Sequence, residues 1–386
     1  MDFDKIVDRR GTNALKWDIK DGELPMWVAD MDFETAPEIT DALMKRVSHG
    51  VFGYNIVPEE WYDAYIGWWR ERHGYTIDRD SLIFCTGVVP ALSSVVRKLT
   101  TPAEQVLILT PCYNIFFNSI VNNGRKPLEC PLVYENNEYH IDFDLFEDML
   151  AMPQTTMFIL CNPHNPVGKL WDRETLARIG ELCARYHVIV VSDEIHCDLV
   201  SVGKQYVPFA SVSEECRNNS VTCIAPTKTF NLAGLQTAAV VVPDRFLYNK
   251  VNRGLNTDEV AEPNSFAVCA AVAAFTRGAE WLDGLREYID NNRRIVAEYI
   301  KNEIPDITYV PSEATYLLWL YCGEICSETE ALADHIRTDT GLYLSHGSQY
   351  GKGGERFLRL NIACPRQVLV DGLQRLKRGM EDWKKK

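Results

Sequence analysis

The chain has 386 residues, and its 54 acidic side chains outnumber the 40 basic ones, leaving a formal net charge of −14. That balance argues against nucleic acid or an anionic membrane surface as the main partner. The longest uncharged apolar stretch, Phe266 to Phe275, is roughly half of what a membrane span needs, while the length suffices for one large core and a smaller one.

The first residues, MDFDKIVDRRGT, contain no apolar h-region, so no secretory signal is expected. Twelve cysteines are scattered without a CxxC pair, many in apolar or small-residue runs (Cys161, Cys223, Cys269), where a reduced thiol behaves as a small hydrophobe. Cys322 and Cys326, the one close pair, have no other clustered Cys or His and read as structural, so no metal site is expected. These features predict a soluble, reduced, cytoplasmic protein.

Pro25 to Phe33 (PMWVADMDF) is apolar but interrupted by two aspartates. It makes a poor strand and reads better as an arm laid across another surface, with Asp32 available to cap the next helix. Pro37 to Ser48 has helical spacing at Ile39, Leu43 and Val47. A glycine-flanked turn with Tyr54 follows, then a helix carrying Trp61, Tyr65 and Trp68.

From Ser81 the text alternates between strand and helix. SLIFCTG ends at Gly87, and VVPALSSVVRKL is a helix beginning at Val88 and Val89. Strand, glycine, helix is a geometry that offers free backbone N–H groups to a phosphate. QVLILTPCY is a buried strand ending at Tyr113, and TMFILCNPHNPVG is a strand followed by a turn containing Asn165. An amphipathic helix, WDRETLARIGELCARYH, leads to the strand Val188 to Val191, which runs into SDEIH. Asp193 then stands at the C-terminal end of a buried strand, where open α/β sheets keep ligands; it can equally be a helix N-cap. The β–α–β alternation from Ser81 to Val242 predicts a mostly parallel sheet, and no GxGxxG fingerprint marks it as a dinucleotide domain.

Between the apolar runs Val221–Ala225 and Ala238–Val242 lies Lys228, boxed by Pro226, Thr227, Thr229 and Asn231. A lysine on a loop between buried strands has little water, which lowers its pKa and makes the amine nucleophilic; the bland alternative is a solvated hairpin tip. A lysine there and an aspartate at the neighbouring strand end are two groups pyridoxal phosphate needs, one for its aldehyde and one for its ring nitrogen. Helices follow, at Ser265–Thr276 and Glu280–Glu303, and then short strands (ATYLLWLYC, RFLRLNIAC) alternate with helices. In RFLRLNIAC, Arg359 offers the two-pronged grip that suits an amino-acid carboxylate. The expected division is an arm with part of a small domain over 1–47, a large domain over 48–285 and a small C-terminal domain over 286–386.

Together, VVSDEIHCDL and APTKTFNLAGLQ resemble the fold-type-I pyridoxal-phosphate enzymes, and more closely the MalY/PatB carbon–sulfur lyase branch (cystathionine β-lyase-like). The 35-residue spacing from Asp193 to Lys228 fits that superfamily. The resemblance implies an α/β fold-type-I transferase fold, with a mostly parallel, seven-stranded-type sheet between helices and a small α+β domain. It implies pyridoxal 5'-phosphate as cofactor, Lys228 as its anchor and the catalytic base, and Asp193 on the ring nitrogen. Tyr113 is implied on the ring face, Asn165 on the phenolic oxygen and near the substrate, and His196 where aminotransferases carry a tyrosine. Gly87, Val88, Val89 and Thr227 are implied at the phosphate, with Tyr54 reaching there from the other subunit of a homodimer that shares its sites. Arg359, at the RLN position, is implied to bind the substrate carboxylate, and the segment around Ala29 to line the substrate entrance.

Besides His196, two positions depart from the aminotransferase pattern: a serine and an arginine on the phosphate are here Ala225 and Gln236. The expected activity is β-elimination of cystathionine or a related cysteine S-conjugate to thiol, pyruvate and ammonia. The alternatives are an aminotransferase of the same fold and a MalY-like enzyme with an added regulatory binding role.

Overall fold

The computed structural model describes residues 1–385. Its centre is a seven-stranded sheet in the order Leu82–Cys85, Ala238–Val241, Ser220–Ile224, Ile189–Asp193, Thr155–Cys161, Gln105–Thr110, Lys126–Pro131. Ala238–Val241 runs antiparallel to both of its neighbours, and the other pairings are parallel. The strands are near-continuous apolar runs because helices cover both faces. Along Gln105–Thr110, Val106 and Ile108 pack with the Val88–Leu99 and Arg245–Thr257 helices, while Leu107 and Leu109 pack with the Phe143–Leu150 and Arg173–Arg185 helices. That alternation is the strand's two-residue period read out as two core layers.

A second, antiparallel sheet of four strands follows in the order Thr308–Tyr309, Leu317–Tyr321, Phe357–Asn361, Ser345–His346. The helices Ala279–Glu303, Glu330–Thr340 and Arg366–Trp383 contribute to the core beneath it. Phe357–Asn361 is an interior strand, so Arg359 is buried between Trp319 and Ser345. The exposed residue nearby is Arg356.

The arm behaves as its interrupted pattern predicts. Leu24–Pro25 adds a short parallel pair to Leu342–Tyr343, and the irregular stretch beyond is held by its main-chain carbonyls. Asn361 Nδ2 donates to Val28 O at 2.5 Å and to Asp30 O at 2.6 Å. Asn231 accepts from Met31 N–H and donates to the carbonyls of Met31 and Phe33, each at 3.0 Å. Asn231 has a left-handed backbone (φ 56°), a conformation asparagine tolerates. Asp32 is not a helix cap. It accepts from Lys16 Nζ at 2.7 Å, Arg9 at 2.8 Å and Trp17 Nε1 at 2.9 Å, whereas the Pro37–His49 helix starts after Ala36 with no side-chain cap.

The twelve cysteines are free. Among the described residues no helix is long and apolar enough to cross a membrane.

Candidate active site

A cavity of about 480 Å³ opens at the C-terminal ends of Thr155–Cys161 and Ile189–Asp193, the end of an open α/β sheet where crevices form. Its lining brings together Ala29, Gly87, Val88, Val89, Tyr113, Asn165, Asp193, His196, Thr227 and Lys228, each singled out from the sequence.

Lys228 sits not on an open loop but on a one-turn helix, Pro226–Thr229, begun by a proline, which favours a first helical position. Its Nζ donates to Ala29 O at 2.5 Å, and Tyr316 Oη donates to the same carbonyl at 3.0 Å. Burial pulls the Lys228 ammonium down to about 8; Arg359 adds to the pull, while Asp30 and Asp193 oppose it. Part of the amine is therefore neutral near neutral pH, as a nucleophile or base requires.

Asp193 ends its strand and is buried, with Ile195 N–H donating to it at 3.2 Å. The next residues form turns rather than a helix, so the N-cap alternative does not apply. Burial pushes its carboxyl up to about 7 and Glu194 adds to this, against the Ile195 N–H and Lys228. His196 is buried with Nδ1 unpartnered, and burial, reinforced by the charges of Lys228 and Arg359, takes its pKa down to about 3, so the ring is neutral. Burial also pushes Tyr113 up to about 12.

Gly87 is the N-cap of the Val88–Leu99 helix and supplies no side-chain cap, so the first amides of the helix face the cavity unpaired within it. Arg359 is reached through Asn165. Its guanidinium donates to Asn165 Oδ1 at 3.4 Å and to Trp27 O at 2.7 Å, and lies 4.8 Å from the Tyr350 ring centroid. Its Nε–H is buried without a partner, and it forms no ion pair among the described residues.

Tyr54 stands apart. Its side chain is fully exposed and does not line this chain's cavity. Sequence reasoning also passed over Cys161 and Glu259, which line the cavity, while Gln236 is found there at the position flagged as a departure. Glu259 and Gln236 both have left-handed backbones, φ 57° and 54°, which no residue-type signal announced.

The sequence profile of the aminotransferase class I and II family matches residues 26–376. The chain is 43% identical over 384 residues to the cystathionine beta-lyase PatB of Bacillus subtilis (strain 168), covering 98% of this chain and 99% of that protein. It is 32% identical over 383 residues to protein MalY of Escherichia coli (strain K12), covering 97% of each. Its fold is similar to the crystal structure of cystalysin from Treponema denticola, which contains a pyridoxal 5'-phosphate cofactor, with a TM-score of 0.95, 30% identity and 99% of both chains covered.

The residues present fit that cofactor. A buried carboxyl at Asp193, raised by burial and with Lys228 as the one cationic side chain in the described lining, would gain from a cationic ring nitrogen. Lys228 would supply the amine and the helix amides at Val88 and Val89 an anion cradle. Lys228 is the one cationic side chain in the described lining, so a phosphate there depends on backbone and hydroxyl donors such as Thr227. A profile match over most of the chain, together with relatives this similar along nearly their full length, means that the chain belongs to the aminotransferase class I and II family, among the fold-type-I enzymes related to PatB and MalY.

Proposed function

We propose that the protein is a pyridoxal-phosphate-dependent carbon–sulfur β-lyase, acting on cystathionine or a related cysteine S-conjugate. One observation carries the substrate class: Arg359 is a buried guanidinium with a free Nε–H and no carboxylate partner, close enough to Lys228 to lower its basicity. A buried cation of this kind calls for an anionic ligand, and an amino acid's α-carboxylate supplies one.

When bound, the cofactor supplies an electron sink for negative charge developing at the substrate Cα. Arg359 takes the carboxylate by charge-assisted hydrogen bonds and so turns Cα–H toward Lys228. Lys228 Nζ, lowered to about 8 by burial, accepts that proton as general base. Asp193 would hold the ring nitrogen in its cationic form, and Asn165, which lines the same cavity, accepts a hydrogen bond from Arg359. Tyr113 and the helix start at Val88 and Val89 wall the cavity against water. As the Cβ–S bond breaks, the proton on Lys228 Nζ passes to the leaving sulfur. The released enamine hydrolyses in water to pyruvate and ammonia.

The test is pyruvate release from L-cystathionine. Release without any added 2-oxo acid is the expected result; turnover seen only when a 2-oxo acid is added makes the protein an aminotransferase instead.

The same reading makes the active species a homodimer with shared sites. Tyr54 is exposed in one chain, as are Val51, Phe52 and Ile56 around it and Met44 and Val47 on the preceding helix, a strip suited to a second copy. Tyr54 then serves the phosphate of the neighbouring chain. A Tyr54→Phe, Lys228→Ala double mutant mixed with wild type gives heterodimers in which the one intact lysine faces a phenylalanine. That site is expected to hold the cofactor roughly tenfold or more weakly, the loss of one hydrogen bond to a charged group; wild-type affinity there rules out sharing. The two sheets, each with its own helices, support the division at 1–47, 48–285 and 286–386. Twelve free cysteines support a reducing, cytoplasmic location.

A further inference from the structure

The turn that carries Lys228 is only four residues long, and its N-cap, Ala225, provides no side-chain bond. A single helical turn is marginal alone, because nucleation costs more order than one or two hydrogen bonds return. Its direction must be set from outside. Thr35 Oγ1 donates to Phe230 O at 2.7 Å, and Asn231 ties the chain to the arm. On the other side stands one buried bond: Thr229 Oγ1 donates to Asp198 Oδ2 at 3.1 Å.

Asp198 lies five residues beyond Asp193, in the turns that follow that strand. It is buried and held in turn by the Glu59–His73 helix, with Trp68 Nε1 and His73 Nε2 each 2.9 Å from Oδ1. Successive residues on a helical turn point about 100° apart, so Thr229 can face this carboxylate while Lys228 faces the cavity. The Asp198–Thr229 bond therefore joins the segment bearing Asp193 to the turn bearing Lys228. Both of those side chains must meet one flat ring in a fixed relative placement.

We propose that Asp198 is a positioning residue for Lys228, acting through the Thr229 hydroxyl to fix the lysine turn against the Asp193 segment, with Trp68 and His73 holding the carboxylate. The inference rests on the proposed role of Lys228 as cofactor anchor and base.

Thr229→Val keeps the shape of the side chain and removes the hydroxyl. Its kcat on L-cystathionine is expected to fall at least about tenfold, since small misplacements of a reacting group are costly. KM should stay within about twofold, because Arg359 is untouched. The visible circular dichroism of the bound cofactor, which reports how the protein holds the ring, should change as well. Thr229→Ser, which restores the hydroxyl, should recover most of both. If Thr229→Val does not accumulate as folded protein, Thr229→Ala carries the same expectations. Wild-type kcat and dichroism in the folded hydroxyl-free variant overturn the proposal, as does a Thr229→Ser that falls as far as that variant. A wild type with no visible cofactor band and no pyruvate release overturns the proposed function instead.

Discussion

Lys228→Ala is expected to abolish β-elimination and, with it, the visible absorption band of lysine-held cofactor. Alanine can neither anchor the aldehyde nor take the Cα proton. Loss of the general base alone is worth roughly 10²–10⁴-fold in rate. No neighbour can substitute. Among the described residues Lys228 is the one cationic side chain lining the cavity, and His196, the other nitrogen base there, is held neutral with a pKa near 3. The fold should survive, since Lys228 makes one hydrogen bond, to Ala29 O, and Tyr316 still serves that carbonyl. Pyruvate release and the visible spectrum check both halves of the expectation. An unchanged spectrum in a folded Lys228→Ala protein removes the lysine from its role.

Arg359→Ala separates substrate binding from cofactor binding. Arg359 does not itself line the cavity and is joined to it through Asn165, so the visible band should remain. Its kcat/KM should fall at least about tenfold, because each hydrogen bond between charged groups contributes about 1.5–3 kcal/mol. The fall should exceed that limit, as the same grip aims Cα–H at Lys228. Arg359→Lys should recover a part only, since a point charge cannot reproduce the planar fork. Arg356 is exposed and serves as the control, with Arg356→Ala nearly silent. Should Arg356→Ala be crippling and Arg359→Ala mild, the carboxylate site lies elsewhere.

Much of this was legible in the chain. Long apolar runs such as Val188–Val191 and Val221–Ala225 announce strands buried on both faces, and the polar residues that close them, Asp193 and Lys228, stand where a parallel sheet opens. Arg359 was visible as a cation in an otherwise apolar strand. What the chain hid follows one physical pattern. The arm is fixed by contacts across more than 300 residues of sequence, as between Asn361 and the carbonyls of Val28 and Asp30, and main-chain acceptors carry no residue-type signal. Asp32 looked like a cap from its position, but Lys16, Arg9 and Trp17 form around it a partner set that spacing does not show. The strand Lys126–Pro131 holds two prolines and lies at the sheet edge, where proline is tolerated but the strand signal is weak. Lys228 on a helical turn rather than a loop is a local difference of four residues, too short for periodicity to register.

Lys228, of all the amines in the chain, is expected to be the one that holds the cofactor. Borohydride reduction of the yellow holoprotein makes that attachment permanent, and proteolysis followed by mass spectrometry then locates it. A single modified peptide is expected, spanning the Ala225–Asn231 region, with the added mass on Lys228. Modification of another lysine, with the Lys228 peptide recovered unmodified, would contradict it.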